Sequence, residues 1–208
     1  MSENSSLPRR HFLQASVASL GLAALTHASL AKATIVGATI ANSAIVAAAR
    51  AGLERAGSRV ARRDLVGVAD FSQPSRAPRL HLVDLTNGAV QSLLVAHGRG
   101  SDPEHTGWLS RFSNAPGSEA TSEGAYVTGG YYVGAHGRSM RLLGLDPSNN
   151  NAEPRGIVVH AAWYVGPDMV RTHGMLGRSE GCFAVSDSDL PAVLERLGPG
   201  RLLVAGKV

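Results

Sequence analysis

Hydrophobic and polar positions divide the chain into stretches of different character. Residues 15 to 30 are mildly apolar, but Gln14, Ser16, Ser19, Thr26, His27 and Ser29 dilute the run well below a membrane-spanning helix. Ala44 to Glu54 consists of good helix formers, with Asn42 or Ser43 available as N-cap and Gly57 as a stop, and predicts one helix ahead of the main body. Beyond it the pattern changes to short β-type runs divided by Gly, Pro, Asn and Ser. They are Leu65 to Phe71, Arg79 to Asp84, Val90 to His97, Ala125 to Thr128, Arg141 to Leu145, Ile157 to Tyr164 and Leu202 to Ala205. Seven short strands at this spacing predict a mainly β fold, a sandwich or barrel.

Thr86-Asn87-Gly88 predicts a hairpin, because Asn-Gly supplies the positive φ values of a two-residue turn. Gly98 to Gly124 is rich in Ser, Gly, Pro and Asn and poor in apolar residues, which predicts a long ordered loop; loops of this length are often functional. Asp187 to Leu197 predicts a short C-terminal helix capped by Ser186 and ended by Gly198-Pro199-Gly200. There is no internal repeat, and the alanine richness of the first 50 residues belongs to the leader and first helix.

At the N-terminus, Arg9-Arg10-His11-Phe12-Leu13, the mildly apolar run and Ala31-Lys32-Ala33 resemble a twin-arginine signal with an A-x-A cleavage site. That resemblance implies a bacterial protein exported already folded by the twin-arginine translocase, cleaved after Ala33 and periplasmic. The expected organisation is a signal peptide over 1–33, a helical lead-in over 34–63 and a single domain over 64–208, large enough to be stable without disulfides. Removing Arg9, Arg10, Lys32 and Glu3 with the leader lowers the formal charge from +4 to +2. This balance, without basic-aromatic interleaving, argues against nucleic acid as a partner.

The chain has one cysteine, Cys182, in Gly177-Arg178-Ser179-Glu180-Gly181-Cys182-Phe183. In an exported protein a lone thiol has no internal disulfide partner, so Cys182 is an inert buried side chain or a nucleophile. The flanking glycines and charges are unlike a core strand and favour the nucleophile. A thiol near its ordinary pKa is mostly protonated at neutral pH, so it needs an imidazole or a positive field. Candidate imidazoles are His81, His97, His105, His136, His160 and His173. His160 ends the apolar run Gly156-Ile157-Val158-Val159, where a strand would hold its ring, and is the candidate base of a thiolate-imidazolium pair. Gly181 permits a sharp bend, and the amides of Gly181 and Cys182 are candidate oxyanion donors. Arg178 is a candidate for depressing the thiol pKa or holding a substrate carboxylate.

His160 followed by Arg178-Ser179-Glu180-Gly181-Cys182 resembles the active-site signature of L,D-transpeptidases of the YkuD-like fold, in which a His precedes a Ser/Thr-x-Gly-Cys segment. Asp70-Phe71-Ser72-Gln73-Pro74-Ser75, His97-Gly98-Arg99-Gly100-Ser101, Phe112-Ser113-Asn114, Gly117-Ser118 and Gly134-Ala135-His136-Gly137 are similar to its divergent branch, the murein L,D-transpeptidase catalytic domain proteins. The resemblance spans about residues 64 to 206. It implies a β-sandwich-like catalytic domain, Cys182 as nucleophile, His160 as base and later acid, Ser179 and Gly181 as loop-shaping residues, and no cofactor. It also implies the reaction: attack on the diaminopimelate L-centre carbonyl of a peptidoglycan peptide stem, release of D-alanine, and transfer of the acyl group from the thioester to a stem amine. Common members carry a His between the Ser and Gly, and an Asn or Arg shortly after the Cys; here Glu180 and Phe183-Ala184-Val185 stand in those places.

The dipeptides His97-Gly98, His136-Gly137 and His173-Gly174 invite a metal reading, but none has the short ligand spacing of a zinc site, so no metal is expected. His97 and His136 are candidates for lining the cleft or for structural hydrogen bonding, and His173 for flanking the site or standing in a solvated loop. Ser122, Tyr126 and the run Gly129-Gly130-Tyr131-Tyr132 are candidates for a cleft wall, although such tyrosines are more often half-buried on a sheet. Arg99 and Arg141 are weaker candidates for stem carboxylates. Two other functions remain open: an L,D-carboxypeptidase that gives the thioester to water, and a non-catalytic wall-binding domain.

Overall fold

The computed structural model describes residues 42–208. The twin-arginine segment lies outside the described residues. Among the described residues, no helix is long and apolar enough to cross a membrane.

The fold is mainly β, with one helix before the sheet and one near the C-terminus. Eight strands form one sheet: β1 Leu65–Asp70, β2 Leu80–Asp84, β3 Val90–Leu93, β4 Gly124–Gly134, β5 Gly137–Gly144, β6 Val158–Ala161, β7 Phe183–Val185 and β8 Leu202–Gly206. Their order is β3-β2-β1-β8-β4-β5-β6-β7. β1–β8 and β6–β7 are parallel pairs and the other neighbours are antiparallel.

β3 and β7 stand at opposite ends of that order, yet Ala96, just beyond β3, bridges Ala184 of β7, and its amide donates to the Ala184 carbonyl at 2.8 Å. The sheet therefore curls until its two edges meet, as a sandwich does, and encloses one main core. Phe71, Tyr126, Met140, Leu142 and Phe183 are buried there, with Phe183 edge-on to Tyr126 at 5.5 Å between centroids.

Alternation along the central strands serves two cores. Leu203 and Ala205 of β8 face the enclosed core, together with Leu190, Val193, Leu194 and Leu197 of the C-terminal helix α3 (Leu190–Leu197). Leu202 and Val204 face the other side, where Ile45, Ala49, Leu53 and Ala56 of the first helix, α1 (42–56), pack at helical spacing. β1 is buried along its whole length because it is covered on both faces. At Gly67 a Cβ would stand 2.8 Å from Leu203 Cδ1 and 3.1 Å from Leu197 Cδ2, so only the bare backbone admits α3 so close.

Several boundaries differ from the sequence expectation for identifiable reasons. Asn42 and Ser43 lie inside the helix rather than capping it. The connection from β2 to β3 spans residues 85–89, and only Gly88 has positive φ there. The Asp84 carboxylate accepts from the Thr86 amide at 2.9 Å and its hydroxyl at 2.6 Å, closing a wider turn. The two-residue hairpin is instead Ala135-His136 between β4 and β5, where Gly137 takes φ 71°. Two elements escaped the sequence reading. β7 is three residues long, too short to show a period, and α2 (Pro167–His173) lies inside the connection from β6 to β7. Pro167 at its start and Gly174, in the left-handed conformation at its end, were the available signals. The long loop before β4 is ordered by Asp102, whose carboxylate accepts from the Thr106 and Gly107 amides at 2.8 Å each.

Since α1 shares its core with β1 and β8, it is part of the folded body. Leu53→Ala should lower stability by about 2–5 kcal/mol in chemical denaturation; a change near zero would mean that α1 docks only loosely.

Candidate active site

Parallel strands require a crossover, and here it carries the cysteine loop. The chain leaves β6 after His160-Ala161, passes through α2, and returns through Arg178-Ser179-Glu180-Gly181-Cys182 into β7. His160 pairs in register with Ala184, and Val159 with Phe183, so the residue entering β7 lies beside the start of β6. Cys182 and His160 thereby line one cavity of about 750 Å³, together with Val158, Gly156, Arg155, His136, Tyr132, Tyr164, Arg99, Glu119, Arg178, Ser179 and Glu180.

The cysteine loop is held by backbone bonds to the 97–99 segment and by the Ser179 hydroxyl. The Ser179 amide donates to the His97 carbonyl at 2.9 Å, and the Arg99 amide donates to the Ser179 carbonyl at 2.8 Å. Ser179 Oγ donates to the Cys182 carbonyl at 2.7 Å and accepts from the Gly181 amide at 3.2 Å. Gly181 has φ 114°, and a Cβ there would meet Ile157 Cδ1 at 2.7 Å and the Ala120 carbonyl at 2.8 Å. Facing it, a Cβ on Gly98 would lie 2.7 Å from both the Cα and the nitrogen of Gly181. Glycine at 98 and 181 is thus what lets two loop backbones touch. The Gly181 amide, an expected oxyanion donor, points at Ser179 Oγ in this structure.

Cys182 is half-buried, and its Sγ donates to the Gly156 carbonyl at 3.5 Å. Burial raises the thiol pKa, and Glu180 adds to that; the Val158 amide and Arg155 oppose it. His160 Nδ1 donates to the Ala161 carbonyl at 2.8 Å, which leaves Nε2 as the basic nitrogen. Burial lowers the His160 pKa, and His136, stacked on it at 4.2 Å, lowers it further. Both shifts favour the neutral partners. Both directions run against the expected thiolate-imidazolium pair.

The other expected site residues scatter. His136, at the hairpin tip, is in the cavity. Arg178 lines the cavity while its guanidinium donates to the carbonyls of Asp102 and Pro103. His97 is 1% exposed and does not line the cleft; its Nδ1 accepts from Arg79 Nη2 at 2.7 Å. Its Nε2 stands 3.4 Å from Asp102 Oδ2 without hydrogen-bond alignment. Tyr126 is a core residue whose hydroxyl donates to the Ser122 carbonyl at 2.7 Å, and burial raises its pKa. Ser122 is buried as well, accepting from Arg155 Nη1 at 2.7 Å. Neither forms a cleft wall, because alternation along β4 turns Tyr126 inward. His173 ends α2 and lines a separate pocket with His105, Trp163, Met169, Met175 and Leu176. His81 bonds Ser92 Oγ across β2 and β3. Of the tyrosines, Tyr132 lines the cavity, while the Tyr131 hydroxyl donates to the Leu194 carbonyl at 2.8 Å. Arg141 stacks on Tyr132, and Arg99 bridges Glu119 and Glu180 at the rim. Among the described residues, no group of three or more His, Cys, Asp or Glu could hold a metal ion.

The sequence reading missed Arg155, Tyr164 and the Glu119–Arg99–Glu180 bridge. Arg155 follows Asn-Ala-Glu-Pro in a turn-rich segment that carries no periodic pattern.

This fold, with a lone cysteine entering a buried strand beside a strand-borne histidine, defines a class. The chain belongs to the L,D-transpeptidase catalytic domain family, whose model matches residues 38–205. Similar solved structures include an L,D-transpeptidase from Mycobacterium smegmatis, 14% identical with a TM-score of 0.42, covering 69% of this chain and 58% of that one. L,D-transpeptidase 3 from Mycobacterium tuberculosis is 17% identical with a TM-score of 0.40, at 69% and 61% coverage. The helical cell shape determining protein Pgp2 from Campylobacter jejuni is 11% identical with a TM-score of 0.45, at 69% and 47% coverage. The matched part of these structures is thus about half to three-fifths of their length. No curated protein matches the chain.

His97 has its pKa lowered to about 4, first by burial and then by Arg79, against about 6.5 when unfolded. The unfolded chain therefore binds the proton more readily, and stability present above pH 6.5 should fall as pH drops toward 4, by roughly 3 kcal/mol. Denaturant unfolding at pH 7 and pH 4 reads this. His97→Gln should flatten the dependence in that window, and an unchanged slope would contradict the assignment.

Proposed function

We propose that the protein is a peptidoglycan L,D-transpeptidase that works through a thioester on Cys182. The observation that carries the reading is that the chain's single cysteine and His160 line one cavity inside the matched family domain. The reaction begins with thiol and imidazole both neutral. As Sγ attacks the carbonyl of a tetrapeptide stem, His160 Nε2 takes its proton, and the Nδ1–H bond to the Ala161 carbonyl holds the ring in the tautomer that can accept it. The Cys182 amide is the proposed oxyanion donor, since the Gly181 amide already serves Ser179. The imidazolium then protonates the departing D-alanine amine as the tetrahedral intermediate collapses to the thioester. In the second half, His160 removes a proton from the acceptor amine, which attacks the thioester and forms the cross-link, and Cys182 leaves with its proton restored.

The cell-wall substrate implies action outside the inner membrane, and export by the twin-arginine route remains part of this proposal. Transfer to water instead of an amine would make the same site a carboxypeptidase.

Intact mass after incubation with a disaccharide-tetrapeptide, and separately with a carbapenem, tests the reading. A mass gain on Cys182, with D-alanine released from the tetrapeptide, is expected. Cys182→Ser should form no adduct, and His160→Ala should slow acylation by at least about 100-fold while remaining folded. An adduct elsewhere, or one that persists in Cys182→Ser, would defeat the proposal.

A further inference from the structure

Arg155 stands in the cavity wall beside the cysteine loop, with its Nη2 3.3 Å from where a Cβ on Gly181 would be. Its guanidinium donates to the Ser113 carbonyl at 2.8 Å, Ser122 Oγ at 2.7 Å, Ser118 Oγ at 3.2 Å and the Ala120 carbonyl at 2.5 Å. All four acceptors are neutral. Arg99 bridges Glu119 and Glu180, Arg171 pairs with Asp168, and Arg201 pairs with Asp64, whereas Arg178, which also lines the cavity, donates to the Asp102 and Pro103 carbonyls. Among the described residues, Arg155 has no carboxylate in ion-pair contact. A half-buried cation without a counter-ion is costly unless an anion arrives during function.

We propose that Arg155 is the positioning residue for Cys182: it anchors the 113–122 loop behind Gly181 and presents a fixed, unpaired positive charge that stabilises the thiolate as His160 takes the proton. This rests on reading Cys182 as the nucleophile. Sulfur keeps the electron pair, the proton passes to His160 Nε2, and Arg155 exchanges no proton. Burial makes Arg155 itself easier to deprotonate, and the Cys182 charge opposes that shift, so the two groups favour each other's charged forms. Opposing it is Glu180, already bridged to Arg99 at 3.1 Å. Glu119, Tyr132, Tyr164, Arg178, His136 and His160 complete the titratable and charged lining of the cavity.

The test is the pH dependence of Cys182 alkylation by iodoacetamide, followed by intact mass, with folding checked by circular dichroism. Arg155→Gln should move the profile to higher pH, so that alkylation near neutrality falls about tenfold. Arg155→Lys loses the same multi-donor fork but keeps a cation, and should stay within about threefold of wild type. A wild-type profile in Arg155→Gln, or equal displacement in both variants, would overturn the electrostatic role. If Arg155→Gln does not fold, Glu180→Gln decides: with the opposing carboxylate removed, salt screens the Arg155 field and should move the profile to higher pH. Movement the other way, or none, would overturn it. Carbapenem acylation separates this inference from the proposed function. A displaced profile without acylation leaves the Arg155 inference standing, and acylation with an undisplaced profile leaves only the function.

Discussion

The site depends on the parallel pairing of β6 with β7. Three residues, Phe183, Ala184 and Val185, are wholly buried, and their ladder to Val159, His160 and Ala161 sets where the preceding cysteine must lie. Phe183 is locked against Tyr126 and Phe71 in the enclosed core, so Cys182 cannot slide along the strand without pulling an aromatic ring from its socket. Ala96 closes the other side of β7, and the hydrogen bonds continue from there through His97, Ser179 and Arg99. A short strand that would be marginal alone is thus clamped from two directions, and Cys182 inherits its rigidity.

The same clamp explains the electrostatic state of the site. A thiol and an imidazole placed at the edge of an apolar core both lose hydration, and burial pushes each toward its neutral form. Reactivity then depends on what the wall offers when charge develops. The wall offers Arg155, bound only by neutral oxygens, while the rim acids are tied to Arg99. Carboxylates at the rim are paired with Arg99, and Arg155 in the wall has neutral acceptors only.

Much of this was legible from residue order. Alternation and turn residues marked seven of the eight strands, and the Gly-rich segment around a lone Cys marked a loop that lines the cavity. Helix-forming composition, capping residues and glycine stops also marked both sheet-covering helices. β7 was illegible because three apolar residues show no period, and Tyr126 was misplaced because a tyrosine reads alike on either face of a strand. His97 and His173 looked equivalent to His136 as His-Gly pairs. One became buried under Arg79, one ended a helix over another pocket, and only the third reached the cavity.

By itself the sequence determined the mainly β class, the position of the long loop and the identity of the single thiol, since these follow from local pattern and composition. Its motif also carried the resemblance that the family match on residues 38–205 bears out. Only the tertiary structure decided which histidines share the thiol's cavity, which glycine amide is already engaged and which arginines there have neutral acceptors only. Those outcomes depend on the curl that joins Ala96 to Ala184 and on the register of β6 against β7. Contacts between residues tens of positions apart are set by packing of the whole core, and no local pattern encodes them.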